Sequence, residues 1–268
     1  MNTTEPSQQF ATWNINSLTV RLPQLIDWLV AHPVDVIALQ ETKITDDKFP
    51  QAELLEAGWR AHFLGQKTYN GVALLTRATN PLSEPQDVVL NIPGFSDEQA
   101  RVITATVQGI RVIGAYFPNG QAPGTEKFAY KMSWLRALHQ WVESQLKTYP
   151  QLILMGDFNI APHDQDVYDP IAWAGQIHCT AQEREQFQAL INLGMHDSFR
   201  LFDQPERSWS WWDYRNLAFR KNQGLRIDHI LISQTLRPRA MACTIDKTPR
   251  RNERPSDHAP VILTLKAA

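Results

Sequence analysis

The sequence predicts an α/β protein in which two β-sheets pack face to face between outer helices. Three observations lead there. Short apolar runs bounded by turn residues recur along the whole chain, as strands do. Only a few stretches carry apolar residues at helical spacing. No fixed-period repeat, low-complexity block or interdomain linker interrupts this pattern, so residues 10–268 read as one domain. Alternating strands with few long helices favour a two-sheet sandwich. A doubly wound parallel sheet is the alternative. It lacks support from a Gly-rich phosphate loop after the first strand.

The first nine residues, MNTTEPSQQ, read as a flexible polar tail. FATWNIN is a strand ending in polar groups, and TVRLPQLIDWLVAH is an amphipathic helix with Pro23 near its start. An apolar strand, Val34–Leu39, then runs straight into Gln40, Glu41 and Lys43, a pattern that buries the strand and delivers charge at its rim. Further strands are expected at Ala61–Leu64, Gly71–Thr76, Arg101–Val107 and Arg111–Tyr116, with Gln108–Gly109 as the hairpin turn between the last two. Thr125–Leu146 reads as a long helix whose core stripe is Phe128, Met132, Leu135, Leu138 and Trp141. QLILMGDFN repeats the earlier logic, an apolar run closed by acid and amide groups. Ala181–Leu193 is another helix, and final strands fit Ile227–Ile232, the region of Ala242–Ile245, and Ala259–Leu265.

Composition narrows the function classes. At this mass a folded chain exposes roughly 12,000 Å² against about 44,000 Å² extended, enough burial for a core without metal or disulfide staples. Apolar residues make up 43%, which excludes a disordered chain. Cys179 and Cys243 are too few for a disulfide framework and suit a reduced, cytoplasmic setting. No segment approaches the roughly 18 apolar residues of a spanning helix, and the N-terminus is too polar for a signal peptide. The net charge of −2 argues against a non-specific polycation. Its distribution is uneven: residues 200–268 carry 13 Lys/Arg and 7 Asp/Glu, a net +6, against −8 for residues 1–199. A basic rim beside an acidic site fits that asymmetry.

The polar groups cluster where strands stop. Asn14 and Asn16 share one face if WNIN is extended; they are either turn-forming amides or uncharged partners of a metal or phosphate. Glu41 is either a solvent-facing strand end paired with Lys43 or a carboxylate for a hard cation such as Mg²⁺. Asp157 and Asn159 in GDFN are an Asx turn, or a pair that deprotonates and directs a water. RIDH supplies Asp228 and His229, and PSDH supplies Asp257 and His258; a histidine paired with a distant carboxylate is held in one tautomer or kept cationic near phosphate. Acids, amides and a terminal histidine together suit metal-assisted phosphodiester cleavage. A structural zinc site is excluded, since neither Cys-rich spacing nor HExxH occurs. RSWSWWDYR brings Trp211 and Trp212 next to Arg207, Arg215, Arg220 and Lys221. This cluster is either structural or a surface that stacks on a sugar or base while cations hold phosphates.

The blocks WNINSL, ALQETK, GAYFPNG, LMGDFNIAP, SWWDYR, LRIDHIL and PSDHAPV run in order from residue 10 to the C-terminus. In them the chain resembles the exonuclease III family of DNA repair nucleases, within the endonuclease/exonuclease/phosphatase superfamily. The resemblance implies a four-layer, deoxyribonuclease I-like α/β sandwich: two central, mostly antiparallel β-sheets flanked by helices, with the active site at one end. Glu41 then matches the principal metal-binding residue, with Asn16 and Asp257 beside it, for Mg²⁺ or Mn²⁺ in its place. Asn14 and Tyr116 would face the scissile phosphate. Asp157 and Asn159 would prepare and orient water, and Asp228 would be the partner of His258. Trp211, Leu225 and Ile227 would wall a pocket for a flipped-out abasic sugar. The loop DVYDPIAWAGQIHCT, with Trp173 and His178, borders that pocket; a bulky ring there would narrow it while leaving a terminal phosphate accessible.

The implied reaction is an in-line attack of water on phosphorus, at 3′ ends of DNA, as in base excision repair. It would comprise 3′–5′ exonuclease, 3′-phosphatase and 3′-phosphodiesterase action, with abasic-site endonuclease activity second because of His178. Three other readings stay open: a main activity at abasic sites, a non-DNA phosphoesterase on the same scaffold, and a catalytically silent nucleic-acid-binding module. The partner would be double-stranded DNA with nicks, recessed 3′ ends or abasic sites. A monomer is expected, with no membrane contact, in the cytoplasm and at the nucleoid if bacterial.

Overall fold

The computed structural model describes residues 6–267. The chain runs β1 (Ser7–Asn14), α1 (Leu18–Ala31), β2 (Val36–Gln40), α2 (Gln51–Glu56), β3 (Trp59–Leu64), β4 (Val72–Arg77), β5 (Gln86–Leu90), β6 (Val102–Val107) and β7 (Ile110–Tyr116). It continues α3 (Glu126–Thr148), β8 (Leu152–Asp157), α4 (Pro170–Trp173), α5 (Ala181–Asn192), β9 (Met195–Asp197), β10 (Asp228–Ser233), β11 (Ala240–Ile245) and β12 (Val261–Lys266). Four elements go beyond the sequence expectation: α2, α4 and β9 are too short to show a period, and β5 is an irregular edge strand with an exposed face.

Residues 7–9, expected to belong to a flexible tail, are part of β1. Ser7, Gln8 and Gln9 pair with Lys266, Leu265 and Thr264, because the ladder bonds main chain and accepts polar side chains. Residues 1–5 of that expectation lie outside the described residues. The Gln108–Gly109 turn closes the β6–β7 hairpin with φ of 51° and 78°, the left-handed pair that a two-residue turn of this kind needs.

Two six-stranded mixed sheets form, in the orders β11-β12-β1-β2-β4-β3 and β5-β6-β7-β8-β10-β9. Each has a single parallel pair, at its centre: β1 with β2, and β7 with β8. All other neighbours are antiparallel. Phe10, Val36, Leu74, Ile103, Val112, Ile153, Ile230 and Leu263 fill the space between the sheets. Trp13, Leu25, Trp28 and Ile37 form a second core under α1, and Trp134, Leu138, Leu154 and Phe187 a third under α3 and α5. The result is the four-layer sandwich. With both faces covered, the central strands are continuously apolar, which is why they stood out as runs.

The α3 stripe lies slightly off its expected position. Phe128, Leu135 and Leu138 are buried as expected, but Trp134 and Val142 are buried too, while Met132 and Trp141 sit at the border. Lys131 also lies on the buried face.

Candidate active site

The topology explains why the polar groups meet. In a parallel pair both strands end on the same side, so Asn14 lies opposite Gln40 and Tyr116 opposite Asp157. Antiparallel neighbours begin where these strands end: Asp228 opens β10 opposite Asp157, and His258 lies just before β12. Each polar group is followed by an apolar anchor in an outer core: Ile15 after Asn14, Phe117 after Tyr116, Phe158 after Asp157. The anchors fix the strand phase and thereby aim their polar neighbours at the rim. Phe117 and Phe158 stack with centroids 4.1 Å apart. Gly156 is required just before Asp157, because a Cβ there would lie 1.8 Å from the Ala115 carbonyl oxygen.

Asp157 is the centre of the cluster and is 1% exposed. Asn14 Nδ2 donates to Asp157 Oδ2 at 2.9 Å and to Glu41 Oε1 at 2.8 Å, linking the two sheets. The Asn159 amide N–H donates to Asp157 Oδ1 at 2.9 Å, and Asn159 Nδ2 is fixed by the Phe117 carbonyl at 3.1 Å. Asp228 Oδ2 holds His258 Nδ1 at 2.8 Å, leaving His258 Nε2 facing Asp157 Oδ2 at 3.7 Å. Burial, reinforced by the charges of Asp228 and Glu41 and opposed by His258, raises the Asp157 pKa. Burial alone would lower that of His258, but the carboxylates of Asp228, Asp157 and Asp257 outweigh it and raise it, so the ring is an imidazolium at neutral pH. Burial and the charges of Glu41 and Asp157 raise Tyr116 well above an ordinary phenol, which keeps its proton for donation. Arg101 lies 5.0 Å over the Tyr116 ring.

Glu41, Asp157 and His258 each bring a ligand atom within 4.8 Å of one another. His258 Nδ1 is engaged by Asp228, and the oxygen donors among the three groups are the carboxylates of Glu41 and Asp157. This oxygen set fits a hard divalent cation, and Glu41 is half-buried, which leaves room for water in the coordination sphere. Asn16 and Asp257, expected directly beside Glu41, join it at one remove. Lys43 Nζ bridges Glu41 Oε2 and Asn16 Oδ1 at 2.7 Å each. Asp257 is occupied by Asn16 Nδ2 at 2.9 Å and Trp211 Nε1 at 3.0 Å. Asn16, Glu41, Lys43, Asn159 and His178 all have φ between 46° and 72°, left-handed conformations that concentrate at functional sites.

The rim corrects one expectation. Trp212 is fully buried with Trp209, Ala218 and Ala259, its ring edge-on to Phe219, so it is a core residue and not a DNA-facing one. Adjacent residues in an extended segment point oppositely, which leaves Trp211 half-buried at the site. Arg207, Arg215, Arg220 and Lys221 are exposed, Arg215 paired with Asp213. Leu225 and Ile227 are 0% and 2% exposed, so the pocket wall is covered. Trp173 and Trp211 pack against it, and His178 is centred 6.4 Å from each tryptophan ring. His178 itself is 5% exposed; its Nδ1 donates to the Asn159 carbonyl at 2.7 Å, and burial drops its pKa to about 4, so the ring is neutral.

The sequence does not disclose the roles of several residues beneath this site. Ser256 Oγ donates to the Asn14 carbonyl at 2.6 Å and accepts from His258 N, which ties β1 to the PSDH turn. Ser210 Oγ accepts from the backbone N–H groups of Ile227 and Asp228. His229 points away from the site, edge-on to Phe158 and Phe187, with Arg226, Asp166 and Asp197 forming a buried charge network beside it. Serines inside a turn, or a histidine alternating with Asp228, show nothing of this before the chain folds.

The family model described as Endonuclease/Exonuclease/phosphatase family matches residues 11–258. Exodeoxyribonuclease III of Haemophilus influenzae is 36% identical over 271 residues, which cover 96% of this chain and 100% of that protein. Exodeoxyribonuclease of Bacillus subtilis is 32% identical, covering 95% and 98%. Among solved structures, a 3′ phosphatase NExo from Neisseria bound to a product DNA hairpin superimposes with a TM-score of 0.93 at 45% identity, over 97% of this chain and 100% of that one. An AP endonuclease from Archaeoglobus fulgidus gives 0.92 at 32% identity over the same shares.

Proposed function

The chain belongs to the endonuclease/exonuclease/phosphatase family, and from that premise we propose that it is a hydrolase of phosphoester bonds at the 3′ ends of duplex DNA. It acts as 3′–5′ exonuclease, 3′-phosphatase and 3′-phosphodiesterase, with incision at internal abasic sites subordinate. Glu41 would hold Mg²⁺ or Mn²⁺, which would neutralise phosphate charge and the charge of the departing 3′-oxygen. Asp157 takes the proton of the attacking water, a role suited to a carboxylate whose pKa burial has raised toward neutrality. Asn159 and Asn14 hold that carboxylate from two sides, so its free lone pairs are directed. His258, cationic and braced by Asp228, and Tyr116, protonated, donate to the phosphoryl oxygens as charge grows on them. Trp211 and the cations from Arg207 to Lys221 supply stacking and phosphate contacts.

The preference for 3′ ends rests on His178. Its ring is centred 6.4 Å from that of Trp211, which packs against Leu225 and Ile227, so it borders the space an extrahelical sugar would need. Flipping already costs a few kcal/mol, and displacing a packed ring adds to that, whereas a terminal phosphate needs no flip. The Neisseria 3′ phosphatase and 3′–5′ exonuclease structures, at 45% and 46% identity, support the same reading. The test compares kcat/KM on matched duplexes carrying an internal abasic site, a recessed 3′-hydroxyl or a 3′-phosphate. His178→Gly should raise abasic incision selectively. Equal changes on the abasic and 3′-phosphate substrates, or a parent enzyme equally fast on both, would sink the steric reading.

A further inference from the structure

We infer that the buried Lys131–Glu183 ion pair is the positioning device that locks His178 beside the sugar pocket and so sets the choice between 3′ ends and internal sites. This rests on the reading of His178 just given. Lys131 comes from α3 and Glu183 from the first turn of α5, and both side chains are 0% exposed. The three ammonium protons match three acceptors: Glu183 Oε1, the Asn159 carbonyl at 2.8 Å and the Asn119 carbonyl at 3.2 Å. The carboxylate in turn receives the His178 backbone N–H at 3.1 Å on Oε1, and the Thr180 N–H at 3.1 Å and hydroxyl at 2.7 Å on Oε2. One ion pair therefore joins the turns after β7 and β8, which carry Asn119 and Asn159, to the segment before α5.

Three features show that this is more than helix capping. The Thr180–Glu183 capping box closes α5 without any help from a lysine. His178 has φ of +72°, a conformation a β-carbon disfavours and the fold must hold; its N–H is held by Glu183 and its carbonyl by Ala161 N at 2.8 Å. Lastly, the Asn159 carbonyl accepts from Lys131 Nζ and from His178 Nδ1 together, so the ammonium and the imidazole are registered on one oxygen beside Asp157. The turn is also packed against the lysine stem: Gly120 has φ of +85°, and a Cβ there would lie 2.9 Å from Lys131 Cδ and 3.1 Å from Ile177 Cδ1. A buried ion pair adds little stability over an apolar pair of similar volume, but it fixes geometry where each atom has a partner.

The experiment is a cycle built on the full chain. Lys131→Met combined with Glu183→Gln removes both charges at nearly constant volume. The ratio of kcat/KM for abasic incision to kcat/KM for 3′-phosphate removal should rise about tenfold, an interaction of ordinary size between contacting groups. In a His178→Gly background the same pair of substitutions should move that ratio by less than about twofold, because the ring it positions is gone. A folded pair variant whose two rates fall in parallel, or whose effect is undiminished without His178, overturns the positioning role. Lys131→Arg provides a second route if the pair variant does not fold: it keeps the charge but cannot reproduce three tetrahedral donors, so the ratio should again rise, and an unchanged ratio overturns the proposal. If His178→Gly alone leaves the ratio unchanged, the reading of His178 fails and this inference falls with it. If His178→Gly moves the ratio while the pair variants do not, only the inference fails.

Discussion

Replacing Asp157 by asparagine separates chemistry from folding, and the surrounding hydrogen bonds fix the size of both effects. Oδ2 faces three donors, Asn14 Nδ2 at 2.9 Å, Asn159 Nδ2 at 3.3 Å and His258 Nε2 at 3.7 Å, while Oδ1 faces the Asn159 backbone N–H at 2.9 Å. An amide has one oxygen to offer, so in either orientation its NH₂ meets a donor in a place that is 1% exposed. Leaving one such group unsatisfied costs about 1–3 kcal/mol. Opposing this, the raised pKa means the fold disfavours the ionised carboxylate near Asp228 and Glu41, so removing its charge returns part of that cost. The net change should sit near about 1 kcal/mol, a fall in Tm of about 2–4 °C for a chain of this size. The single-turnover rate on a 3′-phosphate hairpin should drop at least about 100-fold, the low end for losing a general base. DNA affinity, read by fluorescence anisotropy in EDTA, should survive. A folded Asp157→Asn enzyme cleaving near the parent single-turnover rate would show that the water loses its proton elsewhere.

Other outcomes follow from the same geometry. EDTA should abolish turnover and Mg²⁺ or Mn²⁺ restore it, and Glu41→Ala should weaken Mn²⁺ binding in calorimetry with little change in Tm; full activity in rigorously metal-free enzyme refutes the metal assignment. Trp211→Ala should cost roughly 1–3 kcal/mol of DNA affinity. Trp212→Ala should instead cost about 3–5 kcal/mol of stability, since that ring is core; the reverse pattern in binding and denaturation curves would overturn the assignment of the two faces. Acid should destabilise the fold through His229, whose pKa burial and Arg226 depress to about 4. Unfolded, it titrates near 6.5, so its contribution is complete above that pH and is lost as pH falls toward 4, at most about 3 kcal/mol. His229→Gln should flatten that limb of the denaturation-midpoint profile, and an unaltered limb counts against the assignment.

The rim of the site was legible because apolar runs stop at Glu41 and again at Asp157, a repeat that either fragment alone would not show, and because the ordered blocks group these ends together. What stayed hidden depended on phase or on distance along the chain. RIDH and PSDH offer two equivalent-looking histidines, and only the strand phase of β10 sends Asp228 to the site and His229 into the core. Trp211 and Trp212 are separated by the same alternation. The helix beginning at Ala181 was readable, but Lys131 carried a charge at a position where surface is the ordinary reading, and its partner lies 52 residues away. Asn16 and Asp257 were placed by resemblance beside Glu41; what the sequence did not show is that Lys43 bridges Asn16 to Glu41 while Asp257 bonds Asn16.

The division of labour in the molecule follows from which backbone carries which residue. Asn14, Tyr116, Asp157 and Asp228 sit in strands whose ladder bonds and buried anchors fix them, and a one-residue slip in any would turn the polar group away from the rim. His178 and Trp173 sit outside both ladders, in a segment held by turns, by the Ala161 N–H and the Asn159 carbonyl, by packing of Trp173 and by the Lys131–Glu183 pair. Substitutions there can alter how far the imidazole reaches without moving Asp157, because the shared contact is a carbonyl that the β8 strand end already fixes. On the proposed roles, selectivity would change by one side chain or one buried pair while the phosphoryl chemistry stayed as it is. That separation predicts that variants at His178, Lys131 and Glu183 change ratios between substrates, whereas variants at Asp157, Asp228 and Glu41 depress all DNA substrates together.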